Sequence, residues 1–441
     1  MSKRTMPLKG QSADTILSEL KAYHAQDYDW RGGKLFCLIY QSRPDVDELI
    51  HKVYDMYFHE NGLNPVTFPS LPRMETETVS MVGQLLGNPT VSGSQTSGGT
   101  ESILLAVHAA RERAREKQPH ITNPTMVMPL SAHPAWNKAA HYFGLETVIV
   151  PLDKDYNADQ DALRKAVDDR TVLIVGSASN YPYGTIDPIP LMGQLAKERD
   201  ICCHVDACVG GMMLPFLERL GQKISPWDFR VEGVTSISAD LHKYGYLPKG
   251  TSVVLYRDSS YRLHQYYAYA DWPGGVYATP NMTGSRPAAP IAATWAVLNY
   301  LGIEGYTQLA ADVLDTRNRM MEGVRKIPGL KILGNPEMTI FAFGSDTLNM
   351  FHLGELLEMR GWKLERQQNP ASIHLTITSA RPPHVIDQFV KDVAECAELT
   401  ETDKDGAAAG AAAIYGMLST LPDRSMARGM ALNFLDGIFE V

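Results

Sequence analysis

Short apolar runs alternate with segments of helical periodicity across the middle of the chain, from about residue 61 to residue 257. The apolar runs predict strands at residues 125–130, 146–152, 171–179, 202–208, 234–240 and 252–257. The segments between them predict helices at residues 134–143, 159–167 and 188–199. Strands that alternate with helices favour a mostly parallel sheet covered on both faces. The pattern therefore predicts an α/β fold whose reactive residues lie beyond the carboxyl ends of the strands.

The pattern differs on either side of this region. Residues 12–26 predict a helix that begins at Ser12, with Ile16, Leu17 and Leu20 at helical spacing. From residue 286 onward a long helical connector is predicted, and it leads into a smaller α+β domain with strands at residues 330–345, 361–367 and 371–379. The Ala/Gly-rich stretch 402–417 is interpreted as a loop that runs into a helix.

These changes divide the chain into three predicted parts. Residues 1–60 form an N-terminal segment, residues 61–290 a large ligand-binding domain, and residues 291–441 a small C-terminal domain that includes the connector helix. A chain of 441 residues is long enough for one large and one smaller domain.

Composition narrows the function classes. Apolar residues make up 44% of the chain and charged residues 21%, which is typical of a globular protein with a substantial core. The net charge of −9 gives no basic field that would indicate nucleic-acid binding. No uninterrupted apolar stretch approaches the roughly 18 residues of a membrane span, and the first residues do not resemble a signal peptide. Five cysteines without paired CxxC spacing predict reduced thiols and a cytoplasmic location.

The stretch "SGSQTSGGTESI" (92–103) places small residues before a long amphipathic helix pattern. Main-chain N–H groups at the start of a helix suit a phosphate group, and Gly98 and Gly99 let the backbone approach closely. The hydroxyl of Thr100 offers a further donor. An ordinary capped helix behind a flexible loop is an equally good interpretation of this stretch alone.

Asp206 lies inside the apolar run "CCHVDAC", where an unpaired carboxylate is costly to bury. Its partner is a structural cation, a metal ion shared with His204, or a protonated ring nitrogen on a bound cofactor. A metal is the weaker interpretation, since no third ligand occurs at compatible local spacing.

Two further stretches carry candidate chemistry. His133 follows the strand at 125–130, where its ring would stack on a flat heteroaromatic ligand or simply cap the next helix. In "SADLHKYGYLPKG" (238–250), Lys243 is a candidate nucleophile toward aldehydes if partial desolvation lowers its pKa, and His242 could donate to a phosphate. Taken alone, this stretch favours an ordinary surface loop.

A phosphate-binding turn, an aromatic ring, a buried carboxylate and an amine are together what pyridoxal phosphate requires.

The chain resembles pyridoxal-phosphate enzymes of the aspartate-aminotransferase fold type, in the branch related to group II decarboxylases and, within it, the bacterial sphingosine-1-phosphate lyases. The stretches that carry the resemblance include "TSGGTESI", "HPAWNKAAHYF", "SNYPYGTIDPI", "HVDACVGG", "SADLHKYGYLPKG" and "MTGSRPA". The resemblance implies a mostly parallel seven-stranded sheet flanked by helices, with a smaller C-terminal α+β domain. It also implies a homodimer with shared active sites and no transmembrane anchor.

The resemblance assigns roles by position. It implies that Lys243 carries pyridoxal 5'-phosphate as a Schiff base, that Asp206 pairs with the pyridine nitrogen and that His133 stacks on the ring. The residues implied to hold the cofactor phosphate are Gly98, Gly99, Thr100 and His242, with Gly284 and Ser285 contributed to the partner subunit's site. The residues implied at the substrate end are Tyr40, Tyr181 and Lys249.

The implied reaction is retro-aldol cleavage of a phosphorylated long-chain base to a fatty aldehyde and phosphoethanolamine. Tyr181, Lys249 and the cofactor phosphate are candidate bases for the C3 hydroxyl. "GLNPVTFPSL" (62–71) lacks the histidine that many lyases carry in this stretch, so the grip on the substrate phosphate must differ, or the substrate itself does. The alternatives are an amino-acid decarboxylase, for which Arg381 is a candidate carboxylate ligand, and a non-enzymatic phosphate-binding protein.

Overall fold

The computed structural model describes residues 4–402 and 424–439. The strands of the larger sheet are β1 (Ser92–Thr96), β2 (Thr125–Pro129), β3 (Glu146–Val150), β4 (Thr171–Ser177), β5 (Cys202–Asp206), β6 (Ser236–Ala239) and β7 (Ser252–Tyr256). Two short strands, β8 (Tyr267–Tyr269) and β9 (Tyr277–Thr279), pair as a hairpin-like ribbon. The C-terminal strands are β10 (Lys331–Ile332), β11 (Ile340–Gly344), β12 (Glu365–Gln367) and β13 (Ser372–Thr376).

The helices surround these strands. They are α1 (Ala13–His24), α2 (Pro44–Met56), α3 (Ser70–Leu85), α4 (Gly99–Lys117), α5 (Ala135–Phe143), α6 (Gln160–Ala166), α7 (Ile189–Glu198), α8 (Leu214–Arg219), α9 (Ser259–Arg262), α10 (Ala288–Arg325), α11 (Met350–Met359), α12 (Pro383–Thr402) and α13 (Arg424–Phe439). No helix in these described ranges is long and apolar enough to cross a bilayer.

The larger sheet has the strand order β1-β7-β6-β5-β4-β2-β3. Strands β2 to β6 pair in parallel, whereas β7 runs antiparallel to both of its neighbours. Every residue of β4, β5 and β7 is buried, which explains why these strands are mostly apolar in the sequence. The predicted α/β class, with helices on both faces of a mostly parallel seven-stranded sheet, is confirmed.

Strand β1 is an element that the apolar pattern does not predict. Its sequence "SGSQT" contains no large apolar residue, yet it pairs along its whole length with β7 and is almost entirely buried. Gly93 is required here, because a Cβ at this position would lie 2.6 Å from the carbonyl oxygen of Val254. Tertiary packing therefore overrides the low strand propensity of the segment.

The connector predicted from residue 286 is α10, whose backbone breaks at Gly302 with a φ of 55°. After it, β10, β11, β13 and β12 form a separate antiparallel sheet, as the smaller α+β domain requires. The boundaries at residues 60/61 and 290/291 remain predictions. The Ala/Gly-rich prediction lies outside the described residues from residue 403 onward.

The predicted N-terminal helix is α1, and the Ser12 Oγ accepts from the main-chain N–H of Thr15 at 3.2 Å. The apolar residues of this helix are not buried in the described structure. The side chains of Ile16, Leu17 and Leu20 are 43%, 53% and 54% exposed. Helical periodicity predicts the helix, but it does not say what covers its apolar face.

Candidate active site

A cavity of about 460 Å³ opens at the carboxyl ends of the parallel strands. The candidate residues that line it are Tyr40, Gly98, Gly99, Thr100, His133, Tyr181, Asp206, His242, Lys243 and Lys249. They come from widely separated parts of the sequence and meet because β2, β4, β5 and β6 end at the same edge of the sheet. Gly284 and Ser285 lie outside this cavity, in the segment after β9.

Asp206, the last residue of β5, provides a buried carboxylate at the base of the cavity. The Nε1–H of Trp136 donates to one carboxylate oxygen at 3.0 Å, and the main-chain N–H of Cys208 donates to the other at 3.1 Å. Burial alone would raise the pKa of Asp206, but these two donors and the nearby His133 outweigh it and lower the pKa. The carboxylate therefore stays anionic and suits a protonated ring nitrogen.

The predicted phosphate-binding turn precedes α4. Gly98 has a φ of +147°, a conformation that residues with a Cβ rarely adopt. A Cβ at Gly99 would lie 2.8 Å from both the Asp240 Oδ1 and the Cys208 Sγ, so the turn is packed tightly against the end of β6. The start of the 19-residue helix α4 faces the cavity at Thr100. This arrangement matches the expected anion site at a helix N-terminus.

His133 lies at the cavity wall in the loop between β2 and α5. Its Nδ1 accepts from the main-chain N–H of Ala135 at 3.2 Å, so the ring also holds the start of α5. The two interpretations made from the sequence, a cap and a ring that faces a ligand, are therefore compatible.

Lys243 has a partner that the sequence interpretation missed. Its Nζ lies 3.0 Å from the Oδ2 of Asp240, and the Nε2 of His242 lies 3.5 Å from the same oxygen. The expected lowering of the lysine pKa is wrong. Burial does lower the pKa of Lys243, but the Asp240 carboxylate outweighs that effect and raises it. Asp240 holds the ammonium of Lys243 in place at the cavity wall.

The lowered pKa belongs instead to Lys249. Its side chain reaches solvent, yet desolvation by the cavity wall and repulsion from Lys243 lower its pKa to about 8. The Nζ donates to the carbonyl oxygen of His242 at 2.8 Å and lies 4.9 Å from the ring centroid of Tyr40. Tyr40 packs edge-on against Tyr244, with 4.9 Å between ring centroids. A cation and a phenol thus stand together at one end of the cavity.

Tyr181 lines the cavity where the loop after β4 meets the C-terminal sheet. Its hydroxyl donates to the Oε2 of Glu365 at 2.7 Å. Its ring packs on that of His374, with centroids 4.4 Å apart. Glu365 is a second residue that the sequence interpretation missed, because nothing in "GWKLERQ" signals a functional acid.

Arg381, the candidate carboxylate ligand of a decarboxylase, is occupied elsewhere. Its guanidinium donates to the main-chain oxygens of Gly33 at 2.9 Å, Leu35 at 2.8 Å and Ser379 at 3.1 Å. It does not line the cavity. An arginine whose N–H groups bind main-chain carbonyls is not free to hold a substrate acid, so this candidate is wrong.

His204 is a core residue and not a metal ligand. Its Nδ1 and Nε2 contact the hydroxyls of Ser236 at 2.9 Å and Ser238 at 3.0 Å, and burial lowers its pKa to about 4. No group of three or more potential ligands is arranged for a metal in the parts of the chain that the structure describes.

The cavity has what pyridoxal phosphate needs. An anionic aspartate, a lysine amine and a glycine-lined helix start all face it, and Ser179 adds a buried hydroxyl without a hydrogen-bond partner in the described structure. The fold and the site therefore define a pyridoxal-phosphate-dependent enzyme. Consistent with this, residues 39–345 match the family model for the pyridoxal-dependent decarboxylase conserved domain, and the chain belongs to that family.

Within that family, two relatives define the branch. The chain is 42% identical over 440 residues to the sphingosine-1-phosphate lyase of Arabidopsis thaliana, covering 98% of this chain and 80% of the relative. The structure of a Burkholderia pseudomallei sphingosine-1-phosphate lyase is 39% identical, with a TM-score of 0.90 over 100% of this chain and 98% of that one. The chain is a member of the sphingosine-1-phosphate lyase family.

The fold is shared more widely. A glutamate decarboxylase from Lactobacillus brevis has a TM-score of 0.78 at 20% identity, covering 91% of this chain and 96% of that one. At that identity the similarity concerns the fold alone. The separation of lyase from decarboxylase therefore depends on the closer relatives and on the residues of the cavity.

Proposed function

We propose that the enzyme cleaves a phosphorylated long-chain base between C2 and C3, releasing a fatty aldehyde and phosphoethanolamine. The observation that carries this proposal is the position of Lys249 beside Tyr40 in the same cavity as Lys243 and Asp206. A lysine ammonium and a phenol hydroxyl suit an anionic phosphate head group. Arg381, which a substrate carboxylate would need, is turned away from the cavity and bound to main-chain oxygens.

Each residue then has a role of its own. When bound, pyridoxal phosphate supplies an electron sink for bond cleavage next to the amine carbon. Asp206 would pair with the ring nitrogen of the cofactor and keep it protonated, and His133 would pack on the ring. Lys243 provides the amine that would hold the cofactor. Gly98, Gly99, Thr100 and His242 bind the cofactor phosphate, whereas Lys249 and Tyr40 orient the substrate phosphate.

The head-group assignment predicts a dependence on the substrate phosphate. We expect kcat/KM for the phosphorylated base to exceed that for the unphosphorylated base by about 10²-fold, because a charge-assisted contact is lost. Lys249→Ala should remove most of that difference while the protein retains its cofactor absorbance. Aldehyde release from the two substrates measures both values. Equal kcat/KM values in the wild-type enzyme would refute the assignment, and loss of cofactor from Lys249→Ala would assign Lys249 to cofactor binding.

The pKa of Lys249 predicts a pH dependence. Because its pKa is about 8, the free enzyme loses the positive charge as the pH rises through that value. We expect kcat/KM for the phosphorylated base to fall by about tenfold per pH unit above it. Lys249→Arg should extend the plateau, since a guanidinium stays protonated. If the alkaline limbs of Lys249→Arg and wild type coincide, another group controls this pH range.

We further propose a homodimer whose subunits share their sites. Asn61 donates to the Ser285 Oγ at 3.0 Å, so the segments around residues 61 and 285 are in contact. The carboxylate of Glu101, in the first turn of α4, accepts from the N–H of Met282 at 3.0 Å. Between Tyr266 and Met282 a run of apolar side chains is exposed, including Trp272 at 54% and Val276 at 77%. Such a surface is typical of an interface.

Mixed dimers test this arrangement. In its own subunit a Cβ at Gly284 would meet nothing closer than 3.5 Å, so Gly284→Asp should fold, yet it places a negative charge at the partner's phosphate site. Gly284→Asp and Lys243→Ala should each be inactive alone. When the two variants are refolded together in equal amounts, half of the dimers should be mixed, and one of the two sites in each mixed dimer is intact. The mixture should therefore recover about a quarter of the wild-type activity. No recovery would mean that each subunit builds its site alone.

The five described cysteines are buried and free, which supports a cytoplasmic location.

A further inference from the structure

The hydrogen bond between Tyr181 and Glu365 fixes the direction of a proton. A carboxylate accepts hydrogen bonds and a phenol has one proton to give, so the Tyr181 proton points to the Glu365 Oε2 at 2.7 Å. Tyr181 lines the cavity and Glu365 lies behind it, on β12. The Thr376 hydroxyl also approaches the Tyr181 oxygen, which leaves one lone pair of that oxygen for a donor in the cavity.

Two of the groups around this pair, Cys37 and His374, are uncharged. Burial, and after it Glu365, raise the pKa of the Cys37 thiol to about 11. Burial lowers the pKa of His374 despite the nearby Glu365, so its ring is neutral. The His374 Nδ1–H donates to the Pro182 oxygen at 3.2 Å, and its Nε2 accepts from the Thr376 hydroxyl at 2.8 Å.

His374 is therefore fully committed to its own hydrogen bonds. Its ring packs on Tyr181 without competing for the hydroxyl proton, and it directly faces Glu365 across the β12–β13 pair. Burial raises the pKa of Tyr40, and the charge of Glu365 adds to that rise. The charge of Lys363 lowers the pKa of the Cys37 thiol, but burial and Glu365 outweigh it. The carboxylate of Glu365 is the natural destination for the Tyr181 proton.

We propose that Glu365 is a positioning residue that accepts the proton of Tyr181 while Tyr181 takes the C3 hydroxyl proton of the substrate. This proposal rests on the proposed function. The substrate O–H bond breaks and a new Tyr181 O–H bond forms, while the original Tyr181 proton passes to Glu365. The electron pair left on the substrate oxygen forms the aldehyde carbonyl as the C2–C3 bond breaks. The stored proton returns through Tyr181 when the C2 carbon is protonated, so protons balance over the cycle.

The relay also explains why Tyr181 need not ionise by itself. Burial, and after it the Glu365 charge, raise the pKa of Tyr181 above its usual range. A free tyrosinate would therefore be scarce at neutral pH, but a paired transfer never forms one. If Lys249 were the base instead, Glu365 would have no part in turnover, and the two possibilities give different results in one variant.

The test is Glu365→Gln in the cofactor-loaded enzyme with a phosphorylated long-chain base. The amide keeps the shape but does not accept a proton, so we expect kcat to fall by about 10²-fold with KM within about twofold of wild type. The kcat of Tyr181→Phe should fall by a similar factor, and the kcat of the double variant should be no lower than that of Tyr181→Phe. Glu365→Asp, which retains a carboxylate, should recover part of the loss. Glu304 is exposed on α10, so Glu304→Gln is the matched control, and its kcat and KM should equal those of the wild type.

Solvent isotope effects separate a relay from a purely structural role. In single turnovers the rate should depend non-linearly on the deuterium fraction in the wild type, because two protons move, and linearly in Glu365→Gln. Unchanged cofactor absorbance in the variants shows that the site is assembled. Wild-type kcat in Glu365→Gln, or losses that multiply in the double variant, would overturn the proposal. A wild-type enzyme that releases no aldehyde would instead refute the proposed function.

Discussion

Lys243→Ala is expected to lose the cofactor absorbance band at about 420 nm and to lower aldehyde release by at least about 10⁴-fold. The reason is the proposed role of Lys243, whose amine would hold the cofactor aldehyde and take it back after each turnover. Its Nζ is fixed 3.0 Å from Asp240 in the cavity, and no other described lysine that lines the cavity shares that partner. Absorbance spectra of the purified protein, before and after addition of pyridoxal phosphate, give the first result directly.

Lys249→Ala is the control for this prediction. Both lysines line the cavity, but Lys249 is bound to the His242 carbonyl and the Tyr40 ring. Its replacement should leave the band intact. A band that persists in Lys243→Ala and disappears in Lys249→Ala would exchange the roles of the two lysines. A protein that stays colourless with added cofactor would contradict the whole assignment.

Asp206→Asn is expected to lower turnover by about 10²- to 10³-fold, because it removes the buried charge that is proposed to stabilise a protonated ring nitrogen. The amide is close in shape, yet it cannot accept from both Trp136 and Cys208 as the carboxylate does. Unfolding free energy should therefore drop by only about 1–3 kcal/mol. Aldehyde release and thermal unfolding of the cofactor-loaded protein measure the two effects separately.

Asp392→Asn provides a matched control. Asp392 is also buried and accepts the indole N–H of Trp362 at 2.8 Å, but it lies on α12, away from the cavity. This variant should lose stability while its folded fraction turns over at the wild-type rate. Similar turnover in both variants would show that the charge of Asp206 has no part in catalysis.

The sequence predicts most of the fold because buried parallel strands leave a strong apolar pattern. Runs such as 171–179 and 252–257 correspond closely to β4 and β7. Strand β1 escapes prediction because its burial comes from close backbone packing on β7 and not from large side chains. The apolar face of α1 shows the opposite case, in which a correct helix pattern does not lead to burial within one subunit.

Residues of the site can be predicted only where their neighbours in the sequence make them unusual. Asp206 stands out because a charge interrupts an apolar run. Asp240 lies three residues before Lys243 at the end of another buried strand, so the same reasoning would have found it. Glu365 and Trp136 could not be found this way, since their partners lie 184 and 70 residues distant in the sequence. The pKa values likewise depend on those partners, which is why the lowered lysine pKa was expected at Lys243 and occurs at Lys249.

Identifying the bond that breaks is the most direct test of the central claim. The cofactor-loaded enzyme should be incubated with a phosphorylated long-chain base and, separately, with glutamate and aromatic amino acids, while fatty aldehyde, phosphoethanolamine and carbon dioxide are quantified. We predict that aldehyde and phosphoethanolamine appear in equal amounts from the base and that no carbon dioxide is released from the amino acids. Carbon dioxide from an amino acid, with no aldehyde from the base, would contradict the account.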